Sequence, residues 1–406
     1  MRWQRFLFFA LVGVLLWLGM ACMKDGGATT QSPNPSPSPV AQEVSKPSPT
    51  PSKPEALPPE TAAIVASAGP GKLYNPPRGD VRLVVISDLN SSYGSTDYDP
   101  EVDKGIKLIP FWQPDLVVCS GDMVAGQDLG LTKERLRAMW QAFEQHVTAP
   151  LRKANIPFGF TVGNHDASSA QGSGGRFVFQ TERDLTAEFW RNPRHDPGVQ
   201  FVDRSEFPFY YTFQYKDVFF LAWDGSSSYI PPAKLAWVEK ALSSSEAKQA
   251  KLRILLGHLP LYAVAIGRDK PGEVMDNADQ LRAMLEQYNV HTYISGHQHA
   301  YYPAHRGKLQ LLHAGLLGSG PRRLLAGNLS PGKTLTVVDI KFDTSELTTY
   351  TTYDIQTLQQ IQDKQLPRLL TGHNGTVFRR DVDASQLSEA EKKRCSQQSG
   401  KELCAA

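Results

Sequence analysis

Cysteine is scarce in this chain: four in 406 residues, too few to act as a disulfide scaffold. Net charge is nearly absent too. Forty-three Lys and Arg stand against 41 Asp and Glu, a formal balance of +2, so no strong field draws the chain onto nucleic acid. Nor is there a basic stripe interleaved with aromatic residues, as binding to a single strand requires. What remains is size and an ordinary interior. Hydrophobic residues make up 41% and charged residues 21%, close to globular averages, and the length exceeds what one small domain needs for a core.

The first residues have the order of an export signal. Arg2 and Arg5 precede an apolar run from Phe6 to Met20. Three readings stay open. Gly19-Met20-Ala21 is small-x-small and allows cleavage before Cys22. Leu18-Gly19-Met20-Ala21-Cys22 resembles a bacterial lipobox, with Gly19 where such boxes usually carry leucine. The third reading is an uncleaved anchor, although the run is shorter than the ~20 residues of a comfortable span. All three export the rest of the chain. Cys22 stands at the expected end of the run, which ranks the lipoprotein reading first: a protein anchored to a membrane, or else periplasmic or extracellular. Residues 31–60 then repeat Pro-Ser pairs, with about ten prolines in thirty residues. Such a segment favours extended geometry and acts as a semi-rigid spacer. The expected division is 1–22 signal or anchor, 23–78 linker, 79–355 folded domain, and 356–406 a partly helical tail.

Within the folded part five apolar runs have the same form, at 81–88, 115–122, 158–166, 252–258 and 291–297. Each is a near-continuous apolar strand of the kind buried on both faces. Four end in glycine plus a ligand-type residue, and the first ends in Ser87-Asp88. Helical stripes occupy 132–146, 232–242 and 277–288. Residues 207–215 and 217–224 read as an antiparallel hairpin, and 309–314, 334–342 and 346–353 as further strands. A short helix fits 356–365 and a capped helix fits 383–398. The fold class is α/β (α+β), a four-layer sandwich of two mixed sheets flanked by helices. Functional groups gather beyond the carboxyl ends of such strands, so the five motif ends converge at one rim.

Together those ends offer the carboxylates of Asp88 and Asp122, the amide of Asn164, and the imidazoles of His258, His297 and His299. This is a mixed N/O set without thiolate, suited to first-row transition metals. A carboxylate such as Asp122 can bridge two cations held roughly 3.5–4 Å apart.

In order, the motifs are Asp88-Leu89-Asn90, Gly121-Asp122, Gly163-Asn164-His165-Asp166, Gly257-His258 and Gly296-His297-Gln298-His299. The series resembles the calcineurin-like metallophosphoesterase superfamily, with its D-x-H, G-D, G-N-H-D/E, G-H and G-H-x-H motifs. The resemblance implies a hydrolase of phosphate mono- or diesters that uses two metal ions (Mn, Fe or Zn) and a metal-bridging hydroxide. Asp88 and His299 would hold the first metal, Asp122 would bridge, and Asn164, His258 and His297 would hold the second. His165 would be catalytic without being a ligand, facing the phosphate and serving the leaving oxygen. One position departs from the pattern: Asn90 stands where the family usually has histidine. Purple acid phosphatases, a related branch, also lack that histidine but take a tyrosine from G-D-x-x-Y, and here that position is Ala125. Asn90 is either a weak carbonyl ligand or a turn former, with Tyr93, Asp97 or Asp99 as helpers. The expectation is looser binding of the first metal, manganese rather than zinc.

The other histidines, His146, His195, His291, His305, His313 and His373, read as hydrogen-bonded surface or core residues. Cys119 reads as buried core, Asp224 as a turn residue, and Phe207 to Phe213 as core and sheet surface. Cys395 and Cys404 could pair. Loops 91–98, 168–176 and 315–323 would shape the pocket. The expected partners are a phosphate ester and, through the N-terminus, a membrane; nucleic acid is not expected. Two alternatives compete with the hydrolase: a catalytically impaired binding module of the same fold, supported by Asn90, and an exported nuclease.

Overall fold

The computed structural model describes residues 56–399. The apolar N-terminal run, Cys22, most of the Pro/Ser-rich segment and Cys404 lie outside the described residues. Within them no helix is long and apolar enough to cross a membrane.

Among the described residues fifteen strands follow in order: β1 (Val81–Ile86), β2 (Leu116–Cys119), β3 (Phe158–Phe160), β4 (Gln200–Glu206), β5 (Tyr210–Tyr215), β6 (Val218–Ala222), β7 (Leu252–Leu256), β8 (Thr292–Ser295), β9 (Tyr301–Arg306), β10 (Leu309–Ala314), β11 (Thr334–Ile340), β12 (Thr348–Asp354), β13 (Gln359–Ile361), β14 (Leu369–Gly372) and β15 (Gly375–Arg379). They form two mixed sheets, of order β13-β12-β11-β1-β2-β3 and β14-β15-β9-β10-β8-β7-β6-β5-β4. Helices flank them, as the α/β reading expects.

The parallel parts position the site. β1, β2 and β3 run parallel, with Ile86 abreast of Cys119 and Cys119 abreast of Phe160. β6, β7 and β8 run parallel in the other sheet, with Ala222 beside Leu256 and Leu256 beside Ile294. Level strand ends bring the residues that follow them to one height. β1 and β2 are buried along their whole length, which is why they read as unbroken apolar runs.

Aromatic packing seats the helices. Thr132 caps the helix Lys133–Phe143 by accepting from Arg135 N, 3.2 Å away. That helix and Gln180–Arg191 bring Trp140, Phe143, Phe189 and Trp190 onto β3, where Trp190 and Phe160 stack with ring centroids 3.9 Å apart. Burying each such side chain contributes about 1.5–3 kcal/mol. Arg82 of β1 is buried too, and is satisfied by Asp339 of β11 at 2.9 Å and by the Trp112 and Pro76 carbonyls.

Several boundaries differ from the sequence reading. The helix Pro59–Ala68 falls inside the expected linker, held by the Thr61 hydroxyl on the Lys107 carbonyl at 2.7 Å. Residues 356–365 form β13 and a short 3-10 turn, not a helix. No break in the fold occurs at 355: β13 extends one sheet, and the hairpin β14–β15 joins the other by pairing with β9. Leu369, Phe378, Val382, Leu387 and Cys395 make a small core of their own beneath the last helix, Glu389–Ser399. Cys395 is disulfide-bonded. The strands of this region are short and polar at their edges, so no period announces them.

Candidate metal centre

The polar residues that follow five strands, β1, β2, β3, β7 and β8, meet across the gap between the sheets. Four of these residues, Asp88, Asp122, His297 and His299, have left-handed φ of 48°, 54°, 65° and 53°. For residues other than glycine this costs roughly 1–2 kcal/mol each, and such strain persists where surrounding structure over-determines it. The glycines make the approach possible. Gly121 sits at φ 97°, and a Cβ there would lie 2.7 Å from Gly163 N. On Gly296 a Cβ would strike the Asp88 carboxylate.

One half of the centre is tightly knit. Asn164 Oδ1 lies 2.9 Å from His258 Nε2 and 3.0 Å from His297 Nδ1. Asp122 Oδ2 lies 3.2 Å from His258 Nε2. The atoms of His258, His297 and Asn164 are each turned inward by a partner behind them. His258 Nδ1 donates to Ser120 O at 2.8 Å, leaving Nε2 for the centre. His297 Nε2 donates to Glu273 at 2.8 Å, leaving Nδ1. The Asn164 amide nitrogen donates to Gln127 Oε1 at 2.8 Å, leaving its oxygen. Glu182 in turn accepts from Gln127 N, 2.9 Å away.

The other half is sparser. His299 Nδ1 donates to Gly320 O at 3.0 Å, which aims Nε2 at Asp88 Oδ1, 3.2 Å away. Asp88 also accepts from His297 N and the Ser87 hydroxyl. Asn90 is buried at the same rim, but its side-chain amide makes no hydrogen bond among the described residues. Of its expected helpers, Asp99 is engaged elsewhere through its carboxylate. Asp99 pairs with Lys333 at 2.5 Å and accepts from Ser319. The Tyr93 ring packs on His165, centroids 5.1 Å apart. Asp97 is exposed, with its carbonyl bonded to Ser91.

The charges are mutually tuned. Burial alone would lower the His258 pKa, but the Asp122 carboxylate beside it overrides burial and raises it to about 9. Burial would raise Asp122, yet His258 and His165 hold it well below the usual carboxylate range. His297 is pushed down to about 4 by burial, against the opposing Glu273 bond.

The donor set fits metal ions. Bonds of about 2.0–2.2 Å to nitrogen and oxygen place neighbouring ligand atoms about 3 Å apart, as here. Asp88, Asp122 and His258 each offer an atom within 4.8 Å of the others. Carboxylates or carbonyls behind imidazoles are the usual means of fixing metal-facing tautomers.

His165 stands apart from the cluster. Its Nδ1 bonds Gly126 O at 2.9 Å, and its Nε2 lies 4.0 Å from Asp122 Oδ2. Asp166 works on the backbone, accepting from Met123 N, Val124 N and Gly163 N and so tying two ligand loops together. Asp224 is more than a turn residue: it is buried and paired with Arg183 at 2.8 Å. Arg183 lies between the rings of Phe177 and Phe209, 4.1 Å from each. These residues line a cavity of 650 Å³ that contains none of the ligand side chains. Cys119 is buried and free. Among the other histidines His313 differs from expectation, being buried with neither ring nitrogen bonded.

Sequence reading missed Glu273, Gln127, Glu182 and Arg268. None sits in a motif or at a strand end, so only their contacts reveal them.

The chain overlays on a purple acid phosphatase from yellow lupin seeds (15% identity, TM-score 0.48, covering 70% of this chain and 53% of that one). It also overlays on a dimetal phosphatase from Danio rerio (13%, 0.44, 69% and 98%) and on the inner-membrane-complex anchor of Plasmodium (16%, 0.43, 70% and 87%). The chain thus spans about half the length of the lupin enzyme. No curated protein matches it in sequence. The calcineurin-like phosphoesterase pattern, however, matches residues 81–301, more than half of the 406 residues and all of the strand ends described above. The protein belongs to the calcineurin-like phosphoesterase family.

Proposed function

We propose that this protein hydrolyses a phosphate mono- or diester outside the cytoplasm, with two metal ions. The observation that carries the reading is the convergence of Asp122, Asn164, His258 and His297, with ligand atoms 2.9–3.2 Å apart and each imidazole oriented from behind. Asn164, His258 and His297 would hold one cation. Asp88 and His299 would hold the other, with the Asn90 carbonyl oxygen as a weak addition, and Asp122 would lie between the two. When bound, the cations would supply charge neutralisation and an activated water near neutral pH. His165 keeps Nδ1 on Gly126 O, so Nε2 is the atom that can hydrogen-bond or protonate a leaving oxygen. Tyr93 against its ring limits how far the imidazole can swing.

The place of action rests on the sequence: a basic and apolar N-terminus, then Cys22 and a proline-rich spacer. Membrane fractionation of the wild type and Cys22→Ala tests this. Release of the variant supports a lipid tether, and equal fractionation counts against it.

Turnover of p-nitrophenyl phosphate and bis-p-nitrophenyl phosphate with added manganese tests the activity. Loss of turnover on chelation and on His165→Ala supports the hydrolase. Asn90 favours the competing reading, a fold that binds phosphate without turnover, and an absence of activity with every metal would select it. The retained His165, which has no ligand duty, supports the enzyme.

A further inference from the structure

We propose that Arg322 is an anion-binding residue at the edge of the metal centre, selecting doubly charged phosphate monoesters over singly charged diesters. This rests on the hydrolase reading above and decides which ester the site prefers.

The segment carrying Arg322 is bound directly to the ligand-bearing backbone. Leu317 N donates to Ser87 O at 3.0 Å, Gly318 N to Asp88 O at 2.8 Å, and Ser319 N to Asn90 O at 3.0 Å. Arg322 N donates to His299 O at 2.9 Å, while His299 Nδ1 donates to Gly320 O. Arg322 therefore starts from a backbone fixed to two ligand positions. Its guanidinium lies over the opposite loop, where a Cβ on Gly267 would sit 2.9 Å from Nη1. The next residue, Arg268, places its own Nη1 3.1 Å from His297 Nε2.

The two cations differ in their partners. Arg268 is neutralised by Glu273 at 2.6 Å. Glu273 is also shared with His297 and Lys270. Arg322 has no carboxylate within ion-pair distance among the described residues, and its half-buried side chain makes no hydrogen bond. Its Nε is fully buried without a partner. Burial and the neighbouring Arg268 charge both disfavour its protonated form, and Glu273, beyond ion-pair distance, offsets part of that cost. A guanidinium stays charged at physiological pH, so a bound anion would relieve the part of this cost that Glu273 leaves. Its planar fork matches phosphate oxygens. Phosphate monoesters carry close to two charges near pH 7 and diesters one, so an extra cation beside the centre favours the monoester.

The experiment compares wild type, Arg322→Ala and Arg322→Lys on p-nitrophenyl phosphate and bis-p-nitrophenyl phosphate, with orthophosphate as inhibitor. Arg322→Ala is expected to lower monoester kcat/KM roughly 10- to 100-fold, mainly through KM. Diester turnover should change by less than about threefold, the orthophosphate inhibition constant should rise in step, and lysine should restore part of the loss. An equal fall on both substrates, or unchanged inhibition by orthophosphate, overturns the proposal. If the wild type turns over neither substrate, the hydrolase reading fails instead. The rise in melting temperature on adding orthophosphate then decides the present proposal: it stands if Arg322→Ala abolishes the rise and falls if the variant shows the same rise.

Discussion

The two halves of the candidate metal centre are built to different standards. In the half with Asn164, His258 and His297, every ligand-type side chain has a partner behind it: Gln127, Ser120 and Glu273. In the half with Asp88 and His299, one imidazole is oriented by Gly320 and the third position is Asn90, whose amide has no hydrogen bond among the described residues. Holding a ligand in one tautomer and rotamer lowers the entropy lost on metal binding, so support from behind is part of affinity. The well-supported half is expected to keep its metal and the other to exchange it.

Removing what both halves share has the largest expected effect. Asp122→Asn is expected to lower phosphatase turnover on the order of a thousandfold and to reduce the metal content of both halves, read by metal analysis alongside rate. Next is His165→Ala, which leaves both halves intact: turnover should fall about a hundredfold or more with metal content unchanged. Loss of metal from that variant would place His165 among the ligands. Among the ligand-type residues, Glu273→Ala removes the orienting partner of His297 only, while also freeing Arg268 beside it, and metal affinity of the better-supported half should weaken about 10- to 100-fold in a chelator competition. The mildest change is Asn90→His. Dialysed wild type should retain about one equivalent of metal and the variant about two, since imidazole binds such ions better than a neutral amide oxygen. Two tightly held equivalents in the wild type would remove the contrast between the halves.

The folded region was largely legible. Val81 to Ile86 and Leu116 to Cys119 are buried throughout, so their apolar runs are unbroken and the residues that follow stand out. The helix at 232–242 was read with its observed ends because Pro232 opens it. By contrast β4, whose residues are half-buried or exposed, and the short strands β13 to β15 gave no comparable signal. At the site, the structure brings the motif residues together, and the residues that orient them carry no sequence signal. Asp224 looked like a turn former, and only its burial against Arg183 and the two phenylalanine rings gives it a structural duty.

By itself the sequence determined which side chains stand at the strand ends, because a strand buried on both faces and the polar residue that closes it are adjacent in the chain. It also carried the departure at Asn90, a local fact. Tertiary structure alone decided how those side chains are aimed. Glu273 lies 24 residues before His297, Gln127 lies 37 before Asn164, and the Ser120 carbonyl lies 138 before His258. Hydrogen bonds across such separations follow no period, since they depend on where loops come to rest once the strands have paired. The same holds for the segment that brings Arg322 across the ends of β1 and β8, which in sequence is only a glycine-rich turn.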